Sequence, residues 1–271
     1  MKNRETFLIL VTLATIFSCD KIPNDHYIEI QGKKQHVLTL GNGSPVVVFI
    51  AGGGSDLTDF DSVQRAISKI TKTFSYDKPG LGKSELINSP RMLDKVADEL
   101  KEFLEKEGII NSPMIFVGHS MGGDVSRYFL HRYPKNIVGL VLIDPGSEFL
   151  SEELGKNKTD REKSREDSLL VVEIKSLPIG FQMEVKCYPK HDSLLKTFSI
   201  KTDIPITLLE SNNVDSASKD FIEIQKRLYR NFQRKVPQMK IISTEKSGHF
   251  IQLDEPNLVI DAIKSMIKEV R

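Results

Sequence analysis

A five-residue segment near the middle of the chain, Gly-His-Ser-Met-Gly at 118–122, constrains the fold more than any other. The apolar run 114–117 before it is typical of a short buried strand. After it, residues 123–133 place apolar and aromatic side chains at helical spacing, and Pro134 ends that run. The sequence therefore predicts a strand, a tight turn at Ser120 and a helix, with room only for glycine or a very small residue on either side of the turn.

A serine in such a turn can serve as a nucleophile if a base lies within reach of its hydroxyl group. The predicted base is His249, in the sequence Ser-Gly-His at 247–249, which follows the strand-like run 239–243. A histidine on a glycine-containing loop beyond one strand can reach the carboxyl end of another. His119 lies inside the turn itself, and we expect its ring to pack beneath it.

Two backbone N–H groups are predicted to stabilise a negatively charged oxygen, an oxyanion, beside the serine. Met121, the residue after the serine, supplies one of them. Gly53 supplies the other, because it lies in the glycine-rich loop 51–55 that follows the strongly strand-like run 46–50. Glycines in this loop allow the backbone to approach a substrate closely and to turn an N–H group inward.

These motifs resemble those of the α/β-hydrolase superfamily over residues 27–271. The segment 74–84, which includes Tyr-Asp-Lys-Pro-Gly-Leu-Gly-Lys-Ser, is similar to the turn after the fourth strand of that fold, and 139–145 is similar to its sixth strand. Ala51 departs from the family pattern, which has histidine there. The segment 74–84 also ends like a phosphate-binding loop, but Asp77 stands where that motif needs glycine, so nucleotide binding is not predicted.

The resemblance implies an α/β fold: a mostly parallel central sheet flanked by helices, with a cap insertion between strands six and seven. It also implies hydrolysis of an ester, thioester, lactone or amide, a carboxylic ester above all, by a Ser-His-Asp triad through an acyl-enzyme. The alternative is a non-catalytic binding or scaffolding lipoprotein on the same fold, because a fold alone does not establish function. The intact serine, histidine and glycines favour the enzyme.

The order of strands and helices favours the same architecture. The segments 27–30 and 35–40 predict an antiparallel pair of strands that opens the sheet. Helices that separate the later strands are predicted at 57–70, 92–107, 123–133, 217–233 and 256–269.

About 60 residues separate the sixth and seventh predicted strands, and a stretch this long carries structure of its own or a function. We predict the cap at about 148–203. Its apolar run 169–177 contains Val171, Val172 and Ile174, which we expect to cover a substrate pocket. Alternatively, this segment forms a surface loop that lies away from the site.

The sequence leaves several candidates for the acid that would orient His249. The Gly-x-x-Asp ending that most of the family has after the seventh strand is absent, and the chain runs from Glu210 to Asp215 through Ser-Asn-Asn-Val. Some branches, pancreatic-type lipases among them, carry the acid after the sixth strand, and Asp144 before Pro145 fits that form. We predict Asp144, because it directly follows an apolar strand and the proline restricts its conformation. Asp215 and Glu210 remain the alternatives.

The N-terminal segment predicts export and lipidation. Lys2 and Arg4 precede an apolar stretch, 7–17, that is too short to span a bilayer. The sequence Ile-Phe-Ser-Cys that ends at Cys19 resembles a bacterial lipobox, in which the cysteine becomes the lipidated first residue. The predicted divisions are a signal peptide at 1–18, a tether at 19–26 and the hydrolase domain at 27–271. The predicted location is the bacterial cell envelope, membrane-anchored; an ordinary secretory signal or a buried N-terminal helix are the alternatives.

Composition limits the expected partners. Removing residues 1–18 takes away two basic residues and one acidic residue, which leaves 36 of each from totals of 38 and 37. This neutral balance, without a basic cluster, gives no sign of nucleic-acid binding. With Cys19 lipidated, Cys187 is the one thiol left, so no intrachain disulfide is predicted. The sequence has no metal-binding cysteine and histidine pattern, and we predict no cofactor and a small-molecule acyl substrate.

Overall fold

The computed structural model describes residues 24–156, 158–200 and 202–271. The signal peptide and the lipidated cysteine predicted at 1–19 lie outside these residues. Within the described part of the chain, no helix is long and apolar enough to cross a membrane.

The sheet has eight strands in the order β1-β2-β4-β3-β5-β6-β7-β8. The strands are β1 Asn24–Ile30, β2 Lys33–Leu40, β3 Val46–Ile50, β4 Thr73–Tyr76, β5 Met114–His119, β6 Ile137–Ile143, β7 Ile206–Ser211 and β8 Lys240–Thr244. β2 pairs antiparallel with β1 and β4, and all other neighbours are parallel. The predicted opening pair and the mostly parallel sheet are therefore confirmed.

The described residues also contain ten helices and one 3-10 turn, and the last two of these helices follow the last strand. The turn is Leu57–Phe60, and the helices are α1 Asp61–Ile67, α2 Leu93–Lys106, α3 Met121–Arg132, α4 Leu150–Gly155, α5 Asp160–Ile174, α6 Ile179–Val185, α7 Tyr188–Leu195, α8 Lys219–Lys235, α9 Ile251–Asp254 and α10 Pro256–Val270. The helix predicted at 57–70 is thus a 3-10 turn followed by a shorter α1.

The central strands are buried on both faces, which explains why they read as unbroken apolar runs. In β3, Val46, Val48 and Ile50 point into one core, and Val47 and Phe49 into the other, because successive side chains alternate across a sheet. Helices α2, α3 and α8 contribute to the first core, and α1 and α10 to the second. Parallel strands end at a common edge, and the loops that follow them there carry the predicted site residues.

The cap consists of helices α4 to α7, between β6 and β7. The expectation that the apolar run 169–177 covers a pocket is only partly met. Ile174 is buried, but the side chains of Leu169 and Val172 are 54% and 66% exposed. They face solvent because α5 lies at the outside of the cap, and residues of α6 and α7 cover the candidate site instead.

The tether predicted at 19–26 is too long at its C-terminal end. Residues 24–26 already belong to β1, where Asn24 pairs with Thr39 and His26 with Val37. The imidazole of His26 also contacts the carboxylate of Glu107 at 2.9 Å. These contacts extend the first strand three residues beyond the apolar pattern, which began only at Tyr27.

The turn between β5 and α3 depends on glycine at two positions. A Cβ atom on Gly118 would lie 2.4 Å from the carbonyl oxygen of Gly122, and one on Gly122 would lie 2.1 Å from the carbonyl oxygen of Ile50. Each position is therefore restricted to glycine because an added Cβ atom would collide with neighbouring backbone atoms. A collision between side chains at positions 118 and 122 is not the cause. At Gly122 the contact holds α3 directly against the end of β3.

Replacing Gly122 with alanine is expected to destabilise the fold by about 1–3 kcal/mol, because helix and strand must move apart to admit the methyl group. Urea or thermal unfolding of the purified protein measures the change. Gly155→Ala is the matched control, since a Cβ there would meet its nearest neighbour, Lys163, at 3.5 Å. Alanine in that helical position should leave stability equal or raise it by up to about 1 kcal/mol. Equal stability of the Gly122→Ala variant and the wild type would contradict the proposed constraint.

Candidate active site

Ser120 occupies a strained turn at the start of a helix. Its backbone has φ 50° and ψ −122°, a conformation that residues other than glycine rarely adopt and that costs about 1–3 kcal/mol. Its N–H donates to the carbonyl of Ile143 at 3.0 Å, which ties the turn to β6. Met121 is the first residue of α3, so its N–H has no partner within the helix. The positive end of the helix dipole therefore lies at the serine and favours negative charge there.

The imidazole of His249 binds the carboxylate of Asp144. Nδ1 of His249 donates to Oδ2 of Asp144 at 2.7 Å, with the histidine side chain 46% exposed and the aspartate side chain only 4% exposed. The other carboxylate oxygen accepts hydrogen bonds from Gln225 Nε2 at 3.2 Å and from the N–H of Ser211 at 3.3 Å. Three donors thus stabilise a charge that would be costly to bury alone.

Tyr229 supports the same aspartate. Burial raises the pKa of its phenol well above the ordinary value, and the negative charge of Asp144 raises it further. The neutral hydroxyl group donates to the carbonyl of Pro145 at 2.7 Å and accepts from Gln225 Nε2 at 2.5 Å. Helix α8 therefore fixes both the backbone and the carboxylate at the end of β6.

The two alternative acids lie elsewhere. Asp215 is exposed in the turn after β7, where its N–H donates to Asn213 Oδ1. Glu210 is buried, but its carboxylate accepts from Arg230 Nη2 at 2.8 Å and from Ser243 Oγ at 2.6 Å. Of the three candidates, the structure brings only Asp144 to the imidazole.

The loop that carries His249 is held by hydrogen bonds on both sides. The hydroxyl of Ser211, at the end of β7, donates to the carbonyl of Ser247 at 2.6 Å. The N–H of Gly248 donates to Asp254 Oδ2 at 3.1 Å. The hydroxyl of Ser247 donates to Glu255, and this bond lowers the pKa of that carboxyl. The histidine is therefore positioned although its side chain is half-exposed.

His119 supports the histidine loop from beneath, as expected for a ring packed under the turn. Its Nε2 donates to the carbonyl oxygen of His249 at 2.9 Å, and the two rings lie 4.7 Å apart. Burial, together with the nearby His249, lowers the pKa of His119 to about 3. The ring is therefore neutral at physiological pH, and its role is to hold the loop rather than to exchange protons.

The glycine-rich loop after β3 lies directly against the serine. A Cβ on Gly52 would be 3.3 Å from Cβ of Ser120. The N–H groups of Gly54 and Ser55 are both used, the first by Glu184 Oε2 at 2.8 Å and the second by the carbonyl of Gly52 at 3.2 Å. The described residues offer no acceptor to the N–H of Gly53, the predicted oxyanion donor.

Two aromatic side chains of the cap lie over this loop. A Cβ on Gly53 would be 1.9 Å from the hydroxyl oxygen of Tyr188 and 3.3 Å from Cε2 of Phe181. Burial raises the pKa of Tyr188, so its hydroxyl group stays protonated and can donate a hydrogen bond. Helices α6 and α7 thus form the roof of the candidate site.

Sequence reasoning missed the roof and its supports. The short helices α6 and α7 carry Phe181, Glu184 and Tyr188. Their spacing of apolar and polar residues is the same as in any packed helix, so the sequence pattern did not mark these three residues as part of a site. Lys78 lies within the segment 74–84, which drew attention only as a family motif.

A cavity of about 460 Å³ lies on the other side of the loop after β6. Pro145 and Gly146 form part of its wall, together with Phe198 and Phe232. Neither Ser120 nor His249 is among its lining residues, so it is separate from the arrangement described above.

Comparison with known proteins agrees with this topology. The family model for the α/β-hydrolase fold matches residues 45–166. An AB hydrolase superfamily protein of Gibberella zeae is 23% identical to this chain, over 84% of this chain and 87% of that protein.

Solved structures show the same fold. The epoxide hydrolase CorEH matches with a TM-score of 0.68 and 17% identity, over 92% of this chain and all of that one. A thermophilic esterase from Thermogutta terrifontis matches with a TM-score of 0.65 and 20% identity, over 92% of this chain and 98% of that one. The sheet order, the family-model match over residues 45–166 and these structures together show that the chain has the α/β-hydrolase fold.

Proposed function

We propose that the protein is a serine hydrolase that cleaves a small acyl substrate through an acyl-enzyme, with a carboxylic ester as the preferred bond and a thioester, lactone or amide as the alternatives. The observation that carries the proposal is the 2.7 Å hydrogen bond between His249 and the buried carboxylate of Asp144, beside the turn of Ser120. The N–H groups of Gly53 and Met121, which have no hydrogen-bond partner among the residues that the structure describes, add the expected donors for an oxyanion.

In the proposed mechanism, the hydroxyl oxygen of Ser120 attacks the substrate carbonyl carbon and Nε2 of His249 accepts the proton. The N–H groups of Gly53 and Met121 bind the resulting oxyanion. The intermediate then collapses, and His249 returns the proton to the departing oxygen, sulfur or nitrogen. Water attacks the acyl-enzyme in the same way and releases the acid.

Asp144 has two roles in this scheme. Its hydrogen bond keeps the proton of neutral His249 on Nδ1, so that Nε2 is free to act as the base. Its negative charge also stabilises the imidazolium that forms during each step. A carboxylate that is buried and fixed by Gln225 and Ser211 suits this task, because it cannot turn away from the ring.

A fluorophosphonate probe tests the proposed class directly, because it reacts with an activated serine and not with an ordinary one. We expect one label per chain, on Ser120, and none on Ser120→Ala. With p-nitrophenyl esters of increasing acyl length, Ser120→Ala and His249→Ala should each lower kcat by about 10³-fold, and the double variant no further. A folded wild type that takes up no probe would favour the binding or scaffolding protein instead.

Asp144→Asn tests the acid, and Asp215→Asn makes the same chemical change at an exposed site. The first should lower kcat by roughly 10²-fold or more while thermal stability is largely kept, because asparagine can leave the imidazole in the wrong tautomer. The second should stay within several-fold of the wild type. A large loss in Asp215→Asn with an active Asp144→Asn variant would reverse the assignment.

We further propose that the protein is anchored to a membrane of the bacterial cell envelope through a lipid on Cys19. The lipobox-like sequence ending at Cys19 supports this. Because β1 begins at Asn24, the linking residues span at most about 17 Å when fully extended. The β1 edge of the sheet would then stay close to the membrane surface.

Cell fractionation tests the anchor. The wild type and Cys187→Ala should both sediment with membranes, since Cys187 is a buried thiol that is not part of the lipobox sequence. Cys19→Ala should lose this association and retain the unprocessed N-terminus. Recovery of the wild type entirely in the soluble fraction would refute the anchor without bearing on the hydrolase.

A further inference from the structure

A buried ion pair joins the cap to the core next to the glycine-rich loop. Nζ of Lys78, in the turn after β4, lies 2.7 Å from Oε1 of Glu184, on α6. Both side chains are only 1% exposed. Burying two charges has a desolvation cost that their attraction offsets only in good geometry, so such a pair is a weak source of stability.

Each partner of the pair also binds the loop backbone. Lys78 Nζ donates to the carbonyl oxygen of Gly52 at 2.6 Å. Oε2 of Glu184 accepts from the N–H of Gly54 at 2.8 Å. These two peptide groups lie immediately on either side of Gly53, whose own N–H is left without a partner in the described residues. The pair therefore fixes the direction of the N–H group that is the proposed oxyanion donor.

Helix α6 of the cap packs closely against the turn that carries Lys78. A Cβ on Gly180, at the start of α6, would lie 2.6 Å from the carbonyl oxygen of Gly80, in the turn that carries Lys78. Helix α6 thus packs on the backbone of that turn, and Glu184 follows one helical turn later. Burial lowers the pKa of Lys78, and the charge of Glu184 opposes that shift, so loss of the glutamate removes the main support for a charged lysine.

We propose that Lys78 and Glu184 are positioning residues for the N–H of Gly53, so that docking of the cap helix α6 completes the oxyanion-binding loop. The proposal rests on the proposed function, because it assigns the loop a catalytic task. It gives the cap a role in catalysis besides shaping the pocket. An ion pair that merely fastens the cap would affect stability but leave the chemistry of the folded enzyme unchanged.

Glu184→Gln and Glu184→Ala test the proposal, with Glu99→Gln as the matched control. Arg91 and Glu99 form a second buried ion pair of 2.7 Å, with side chains 1% and 2% exposed, that does not bind the loop. Loss of oxyanion alignment acts on the transition state, so we expect kcat to fall by about 10- to 100-fold in the Glu184 variants with KM changed by less than about threefold. Glutamine, which can still accept from Gly54, should be the milder change. Glu99→Gln should lower the unfolding temperature and keep kcat within about threefold.

Amide hydrogen exchange of residues 51–55 gives a second readout that does not depend on activity. Exchange at Gly54 and Ser55, whose N–H groups are hydrogen-bonded in the wild type, should quicken by about tenfold or more in Glu184→Ala and stay unchanged in Glu99→Gln. Unchanged exchange in folded Glu184→Gln and Glu184→Ala, or equal kcat losses in the Glu184 and Glu99 variants, would overturn the proposal. A wild type without hydrolase activity would defeat the proposed function, while hydrogen exchange would still decide whether the pair orders the loop.

Discussion

The close approach of helix α3 to strand β3 is the constraint on which the candidate site depends. The backbone of Gly122 lies so near the carbonyl of Ile50 that a single added carbon would collide with it. This contact forces the chain to turn within one residue after β5, and Ser120 takes the strained conformation of that turn. The loop that follows β3 is thereby brought against the serine, and α3 begins at the next residue, Met121.

The chemistry of the site comes from separate strand ends that share one edge of the sheet. Gly53 follows β3, Ser120 follows β5, Asp144 follows β6 and His249 follows β8. Each of three of these groups is held by hydrogen bonds from other elements. The aspartate is oriented by β7 and α8. The histidine loop is held by α9 and His119, and the glycine-rich loop by the cap. Many of these contacts are buried hydrogen bonds, so changing one partner leaves the other buried without a partner. The free-energy cost of that unsatisfied group exceeds the net stabilisation that the hydrogen bond provides.

Much of this arrangement could be predicted from local sequence. The turn at Ser120 has short-range requirements, namely glycines at fixed positions between an apolar run and a helix, and the parallel strands are recognisable because they are buried on both faces. Asp144 was harder, since three carboxylates follow two neighbouring strands and only the path of each loop decides which one meets His249. The tether was misjudged because the first three residues of β1 are polar and pair through backbone bonds that leave no hydrophobic pattern.

The contacts of the cap with the site could not be predicted from the sequence, for a physical reason. Glu184 pairs with Lys78, 106 residues earlier in the chain, and no local pattern links two charges so far apart. Tyr188 and Phe181 matter only because α6 and α7 are placed above Gly53, whereas the apolar side chains of Leu169 and Val172 in α5 are exposed to solvent.

In the proposed mechanism Ser120, Gly53 and Met121 surround one reacting carbon, and a crystal structure of the phosphonate adduct tests this arrangement most directly. We expect phosphorus bonded to Oγ of Ser120, with the phosphoryl oxygen about 3 Å from the backbone nitrogens of both Gly53 and Met121. A phosphonate attached to another side chain, or a phosphoryl oxygen turned away from both N–H groups, would contradict it.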